Sequence, residues 1–378
     1  MPCPALAESI RAAASPLLAT IGLNPATLPP ALVPGLAAAA ALATVALLIK
    51  RVFDTPSRPY DPANPNVGAE YDAWTKDGIL EYYWGEHIHL GYYSPAERAR
   101  GYLKTDFKAA KCVFVDEMLA WGLGAGGNQQ PLRILDVGCG IGGASRRLAK
   151  AFPGAQVTGI TLSPEQAARA GALARAAGLG NASFQVTDAL AMTFPDDTFD
   201  LVWACESGEH MPDKAAYVAE MARVLAPGGT LVLATWCQRD TGVPGTAPLS
   251  PDETAALQFL YDEWAHPFFI SIEAYGRLLA GTAKMARVDL GDWTPPTLPS
   301  WRHSNWVGVF DPWPVVRGGP RLWYSVLREI VTLERMHRAF KRGLMVYGMA
   351  RAVKAGGAGG GGGGAGVVSE AGAVVVAP

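Results

Sequence analysis

The stretch RILDVGCGIGGASRRLA, Arg133 to Ala149, opens on a short apolar run, turns through glycines and resumes in helical composition from Ser145 to Ala151. An apolar run bounded by glycine reads as a buried strand that delivers a tight turn into a helix. The same alternation repeats outward from this point. Gln156–Leu162 reads as a second strand, Pro164–Ala177 as an alanine-rich helix, Ser183–Val186 as a third strand and Phe199–Ala204 as a fourth. Asp213–Leu225 follows as a helix, and Thr230–Trp236 as a fifth strand after the turn Ala226-Pro-Gly-Gly229. Strands alternating with helices at this spacing require right-handed crossovers and a parallel sheet covered on both faces. The fold class is therefore α/β, a doubly wound Rossmann-like sheet. Ligands of such sheets lie outside the carboxyl ends of the strands, where the strand order reverses.

The flanks differ in character. Of 378 residues, 49% are hydrophobic and 17% charged, enough apolar material for one large core with additions. A formal charge of −2 with scattered basic residues leaves no electrostatic footprint for nucleic acid. Five cysteines without a C-x-x-C pair argue against a disulfide framework and a structural zinc site. Residues 1–68 read as an apolar N-terminal anchor or targeting segment followed by a Pro- and Asn-rich linker. Within them Ala31–Ile49 is long enough to cross a bilayer core of roughly 30 Å, with Lys50-Arg51 holding the body on the cytoplasmic or stromal side. An alanine-rich leader is the alternative. Residues 69–240 are expected to form the core, with an N-terminal lid, that binds a cofactor at the strand ends, residues 241–354 to form a substrate-binding extension and final strands, and residues 355–378 read as a disordered Gly/Ala/Val tail.

Gly138, Gly140 and Gly143 satisfy G-x-G-x-x-G, a pattern usually associated with a dinucleotide phosphate on a helix N-terminus. Asp136 argues otherwise, because its carboxylate beside the loop repels a pyrophosphate and welcomes an amino group. Thr161-Leu162-Ser163, at the end of strand two, also lacks the acid that grips a ribose in a nicotinamide site. A cofactor with an ammonium and a sulfonium in place of phosphates suits this loop, which describes S-adenosylmethionine.

The chain here resembles the class I S-adenosylmethionine-dependent methyltransferases, through Ile134-Leu-Asp-Val-Gly-Cys-Gly-Ile-Gly142. The resemblance implies a seven-stranded, mostly parallel sheet with helices on both faces. It also implies cofactor contacts from Asp136, Gly138, Gly140, Gly142, Thr161, Gln166, Asp188, Ala189 and Glu206. Gln166 also falls where Ser163-Pro-Glu-Gln166 forms a capping box, so two roles stand open for it. "YDAWTKDGILEYYWGEHIHLGYY" (Tyr71–Tyr93), "FDLVWACESGEHMPDK" (Phe199–Lys214) and "DWTPPTLPSW" (Asp292–Trp301) narrow the resemblance to the tocopherol-pathway methyltransferases. That family acts on prenylated quinol rings: γ-tocopherol, or 2-methyl-6-phytyl-1,4-benzoquinol, towards which most of these stretches lean. It implies a plastid membrane location, or the cytoplasmic face of a membrane in a prokaryote.

Tyr83, Trp84, His87 and His89 read as a substrate-binding lid that folds over the crevice and excludes water. His87 and His89 have no third ligand nearby in sequence, so no metal is expected. Six of the eleven tryptophans, Trp264, Trp293, Trp301, Trp306, Trp313 and Trp323, lie after strand five, and Trp293 and Trp301 are expected to wall a groove for the prenylated ring. Carbon methylation of a phenol calls for a positioned base, and His210 is the candidate, with Glu206 from the same loop facing the cofactor. Glu209 has no assigned role. Competing classes are a nicotinamide oxidoreductase, disfavoured by Asp136 and Thr161, a sterol or small-amine methyltransferase, and a non-catalytic cofactor-binding scaffold.

Overall fold

The computed structural model describes residues 32–61, 78–356 apart from 125, 127, 243–245 and 283, and 367–369, with isolated positions 19, 22, 24, 72, 75 and 76. Two compact units divide at Ser57/Arg58, earlier than the linker boundary expected at residue 68. The first contains α1 (Val33–Asp54), an alanine-rich helix whose Leu42, Val45, Leu47 and Ile49 are all exposed. No helix among the described residues is long and apolar enough to cross a membrane. The expected N-terminal membrane anchor is thereby corrected. Alanine gains almost nothing on transfer to lipid compared with leucine, and the last turns of α1 carry Lys50, Arg51 and Asp54.

The second unit holds the sheet. A lid helix α2 (Ile79–Trp84) leads through α3 (Pro95–Arg100) to α4 (Phe107–Leu123). Next come β1 (Arg133–Val137), α5 (Gly143–Ala151), β2 (Gln156–Thr161), α6 (Pro164–Ala176), β3 (Ala182–Val186), β4 (Phe199–Cys205), α7 (Lys214–Val224) and β5 (Leu225–Gln238). These match the expected alternation within a residue or two, except that β5 starts five residues early, at Leu225. The turn Ala226–Gly229 is absorbed as a register irregularity against β4. The extension holds α8 (Pro251–Glu263), α9 (Ile272–Gly281), β6 (Met285–Asp292), α10 (Thr294–Phe310), α11 (Trp313–Arg317) and α12 (Gly319–Lys341), before β7 (Met345–Lys354).

The sheet runs β3-β2-β1-β4-β5-β7-β6, with β1 to β5 parallel and β7 antiparallel to both its neighbours. This is the seven-stranded, mostly parallel sheet that was expected. A short β8 (Val367–Ser369) adds an eighth strand parallel to β6, inside what reads as a disordered tail, and the remaining tail residues from 357 lie outside the described residues. Successive side chains point to opposite faces, so Ile134, Trp203 and Val232 enter one core while Leu135, Val202 and Leu233 enter the other. Strand order reverses between β1 and β4, and the carboxyl ends of these two strands frame the cleft.

Candidate active site

The glycine loop between β1 and α5 forms one wall of that cleft. Gly138 and Gly142 both sit at φ +79°, in the left-handed region, and a Cβ on Gly138 would lie 2.4 Å from that of Ser207. Glycine is required there because the loop and the β4 turn touch. Asp136 is buried and accepts a hydrogen bond from Ser145 Oγ; burial pushes its carboxyl up to about 6. The Ser207 hydroxyl donates to Val137 O (2.8 Å) and accepts from Tyr217, which pins the two strand ends together.

A cleft of about 110 Å³ opens here, lined by Asp136, Gly138, Gly140, Thr161, Gln166, Ala189, Glu206 and His210, with His87 and His89 from the lid. Gly142 and Asp188 do not line it; Asp188 is exposed and accepts the Leu190 N–H (2.8 Å) in its own turn. Both roles open for Gln166 are now separable. Ser163 caps α6 by accepting the Gln166 N–H (3.0 Å), but the Gln166 side chain turns away from the cap and accepts from Thr161 Oγ1 (2.8 Å), on the cleft wall. Glu86, Asp136 and Glu206 line the cleft, and among the described residues no lysine or arginine does. With Glu86 answered by Arg146, the negative charge facing the cleft comes from Asp136 above its raised pKa of about 6 and from Glu206 above about 7, which repels a pyrophosphate and suits the cationic S-adenosylmethionine.

The lid lies directly on the glycine loop. A Cβ on Gly143 would stand 2.2 Å from Glu86 O, and the Glu86 carboxylate pairs with the buried Arg146 (2.6 Å). His89 Nδ1 faces Leu90 O at 2.8 Å, and that carbonyl can only accept, so Nδ1 carries the proton. His89 Nε2 then accepts from His87 Nδ1 (3.1 Å), and His87 Nε2 is left as the acceptor. Burial holds both rings neutral, with His87 lowered to about 3. Among the described residues, no group of three His, Cys, Asp or Glu side chains is placed to hold a metal ion.

The turn after β4 delivers the carboxylates and the histidine. Glu206 Oε1 accepts from Leu90 N–H (2.7 Å) and Tyr347 O–H (2.6 Å), so one carboxylate ties lid to sheet. Glu209 is buried, accepting from Thr235 Oγ1 (2.8 Å), with Oε1 unpartnered. Desolvation holds both carboxyls above the usual range, Glu206 at about 7 and Glu209 at about 8, the latter reinforced by the Glu206 charge. Gly208–His210 forms a 3₁₀ turn, held by Lys214 Nζ donating to Gly208 O (2.7 Å) and Tyr275 O–H donating to the same oxygen (3.1 Å). His210 lines the cleft, and burial followed by the Lys214 charge lowers its pKa to about 3.

The expected ring-binding residues separate. Tyr83 donates to Asp311 O (2.7 Å) and Trp84 packs edge-on to Phe107, with the Lys111 ammonium 4.0 Å over its ring. Trp293 packs against Tyr92 and Phe114. These three brace the lid and its supports. Trp301 instead joins Trp236, Trp264 and His266 in one aromatic cluster, and His266 lies 4.4 Å from His210 between ring centroids. Tyr347, Lys214 and His266 went unnoticed in the sequence. For Tyr347 and His266 the only signal was a polar aromatic within an apolar stretch, which core packing also produces.

Comparison with known proteins now decides the family. Residues 134–229 match the family described as "Methyltransferase domain". The chain is 44% identical to 2-methyl-6-phytyl-1,4-hydroquinone methyltransferase of Synechocystis, covering 77% of this chain and 88% of that one. It is 37% identical to the chloroplastic tocopherol O-methyltransferase of Arabidopsis thaliana, covering 73% and 79%. The chain belongs to the tocopherol-pathway family of class I methyltransferases. It is an S-adenosylmethionine-dependent enzyme. A geranyl diphosphate C-methyltransferase from Streptomyces coelicolor, 20% identical, shares the fold at a TM-score of 0.59 over 79% of this chain and 100% of that one.

Proposed function

We propose that the enzyme methylates a ring carbon of a prenylated quinol, with 2-methyl-6-phytyl-1,4-benzoquinol as its substrate. The observation that carries this reading is a neutral acceptor, His210, on the wall of the cofactor cleft with an aromatic cluster directly behind it. Similarity to the Synechocystis hydroquinone enzyme supports the substrate, and similarity to the tocopherol O-methyltransferase keeps γ-tocopherol as the second reading.

Asp136, Thr161, Gln166 and Ala189, with the backbone of Gly138 and Gly140, would hold the cofactor, and Glu206 would face its positive end. Gly142 would shape the loop, and Asp188 would reach the cofactor only from the rim. When bound, S-adenosylmethionine supplies a methyl group on a sulfonium sulfur that leaves as a neutral thioether. A histidine lowered to about 3 is too weak a base to deprotonate a resting phenol near pKa 10. It is sufficient later in the reaction. As the carbon–methyl bond forms, the ring becomes cationic and its phenolic O–H becomes a far stronger acid than imidazolium. His210 accepts that proton within the same step. Aromaticity returns as the hydrogen on the methylated carbon leaves to solvent as a proton and the ring oxygen takes its proton back from His210, so that one proton is released in all. His87 and His89 would close the cleft against water.

Transfer of a labelled methyl to the quinol or to γ-tocopherol, measured side by side, tests the substrate. His210→Asn is expected to lose kcat by about 10²–10⁴-fold while cofactor binding measured by titration is unchanged. Full turnover by that variant would remove the base assignment, and absence of label on either ring would remove the reading. The chloroplastic names of plant relatives support a plastid location, which a fluorescent fusion of the full chain would check. The stromal orientation depended on a membrane span that α1 does not supply.

A further inference from the structure

Proton acceptance by His210, the reading on which this inference rests, requires more than a ring that lines the cleft. The His210 backbone is fixed by its 3₁₀ turn, where its N–H donates to Ser207 O (3.2 Å), but the side-chain torsions still set where the ring nitrogens point. Misplacing a reacting group by roughly 1 Å can cost about 10²-fold in rate, so the plane of the imidazole has to be held. His266 lies against it, with ring centroids 4.4 Å apart and planes inclined at 31°.

His266 is itself held from several sides. It follows α8 after Trp264 and Ala265, and Ala265 sits at φ +51°. That left-handed position after a helix end usually takes glycine, so alanine there is held by its surroundings. The His266 N–H closes the turn onto Tyr261 O (2.9 Å). Its Nδ1 lies 3.0 Å from Trp264 O, and a carbonyl can only accept, so Nδ1 carries the hydrogen. The ring stacks on Trp236 at 5.7 Å and 24°, and meets Phe269 edge-on at 5.7 Å. Trp236 belongs to β5 and is braced in turn by Trp301, edge-on at 5.1 Å. His266 is therefore a buried plate fixed to the sheet, and it does not line the cleft. A ring that substrate does not touch can act through the ring beside it.

We propose that His266 is the positioning residue for His210: its ring face fixes the plane of the His210 imidazole and lies against the charge that this imidazole gains on taking the substrate proton. A cation beside an aromatic face is attracted by the ring quadrupole. His266 has to stay uncharged for this, because two stacked imidazolium rings repel. Burial, followed by the His210 charge, holds it in that state.

Substitutions of two kinds separate the plate from its anchorage. His266→Phe keeps a flat ring against His210 and gives up the hydrogen bond to Trp264 O. His266→Asn keeps a side-chain N–H for that oxygen and gives up the ring. Both are made in the full chain, and kcat and KM are measured on whichever ring the wild type methylates, the quinol or γ-tocopherol. His266→Asn is expected to lose kcat by about 10²-fold with KM unchanged for substrate and cofactor, while His266→Phe retains most of the wild-type kcat. The reverse order, equal losses in the two variants, or wild-type kcat in both would overturn the proposal. In a His210→Asn background His266→Asn should cost nothing further, since a positioning residue has no effect without the ring it positions. A second loss of the same size there would also overturn it. If His210→Asn is impaired and His266→Asn is not, the positioning role falls and the base reading survives. If His210→Asn turns over like the wild type, both fall together.

Discussion

Glu206 combines a strained backbone with a shared carboxylate oxygen. It is a non-glycine residue at φ +49°, a conformation that costs of order 1–3 kcal/mol and persists where neighbours over-determine it. Those neighbours are visible: Leu90 N–H from the lid and the Tyr347 hydroxyl both bond its Oε1. An amide oxygen can accept the same two bonds, so Glu206→Gln is expected to keep the lid in place and remove only the charge. Cofactor titration above pH 7, where Glu206, held up to about 7 by burial, is ionised, would read the difference. Affinity for the cationic S-adenosylmethionine should fall by about tenfold, a 1.4 kcal/mol effect, while affinity for the uncharged thioether product should hold. Equal losses for both ligands would mean that Glu206 serves the lid alone.

The lid is held by its fit on α5 rather than by its own composition. Gly143 opens α5 with an ordinary backbone, and alanine in a helix is normally favourable. Here the added Cβ would meet the Glu86 carbonyl at 2.2 Å, and a backbone atom cannot swing aside. Gly143→Ala should therefore leave the helix intact, lift the lid and speed cofactor release, seen as a faster dissociation phase in stopped-flow fluorescence. An unchanged rate would place the contact outside lid closure. This contrast also explains what was legible beforehand. The strands and the glycine loop show in local periodicity, and the lid histidines show as polar residues among aromatics. Tyr347 reaches Glu206 across 141 residues, a pairing set only when β7 inserts beside β5 and brings Tyr347 opposite Trp236. The tryptophan-rich extension was equally opaque: Trp301 is 1% exposed and Trp313 63%, because burial there depends on how α10, α11 and α12 pack.

At the scale of the whole molecule, the residues proposed to bind the cofactor and move the proton lie within one compact unit, Arg58–Pro378. A chain lacking residues 1–57 is expected to keep cofactor affinity and turnover on detergent-dispersed quinol, and loss of either would assign the first unit a part in catalysis. The same unit carries an unusual titration balance. All six histidines, His87, His89, His210, His266, His303 and His337, are held below their ordinary pKa by burial, to about 3 for His87 and His210 and about 4 for His303. Four carboxyls, Asp136, Glu206, Glu209 and Glu329, are held above theirs by burial. The two sets act with opposite signs. Below about pH 6.5 the unfolded chain protonates histidines that the folded chain keeps neutral, so their contribution is lost as pH falls. Above about pH 4.5 the unfolded chain ionises carboxyls that the folded chain keeps protonated, so theirs is lost as pH rises. Six groups outweigh four between pH 4.5 and 6.5, and stability there should climb with pH. Between pH 6.5 and about 8 the histidines stop contributing while Glu206 and Glu209 continue to lose ground; above that Lys214, lowered to about 8 by burial, acts in the opposite sense, as does the buried Lys111 above its own lowered pKa. Thermal melts across this range should therefore peak near neutral pH, and Glu209→Gln should flatten the alkaline side. A midpoint that improves on acidification from 6.5, or a Glu209→Gln variant whose profile above 6.5 is unchanged, would show that these groups are not held in the protonation states their burial implies.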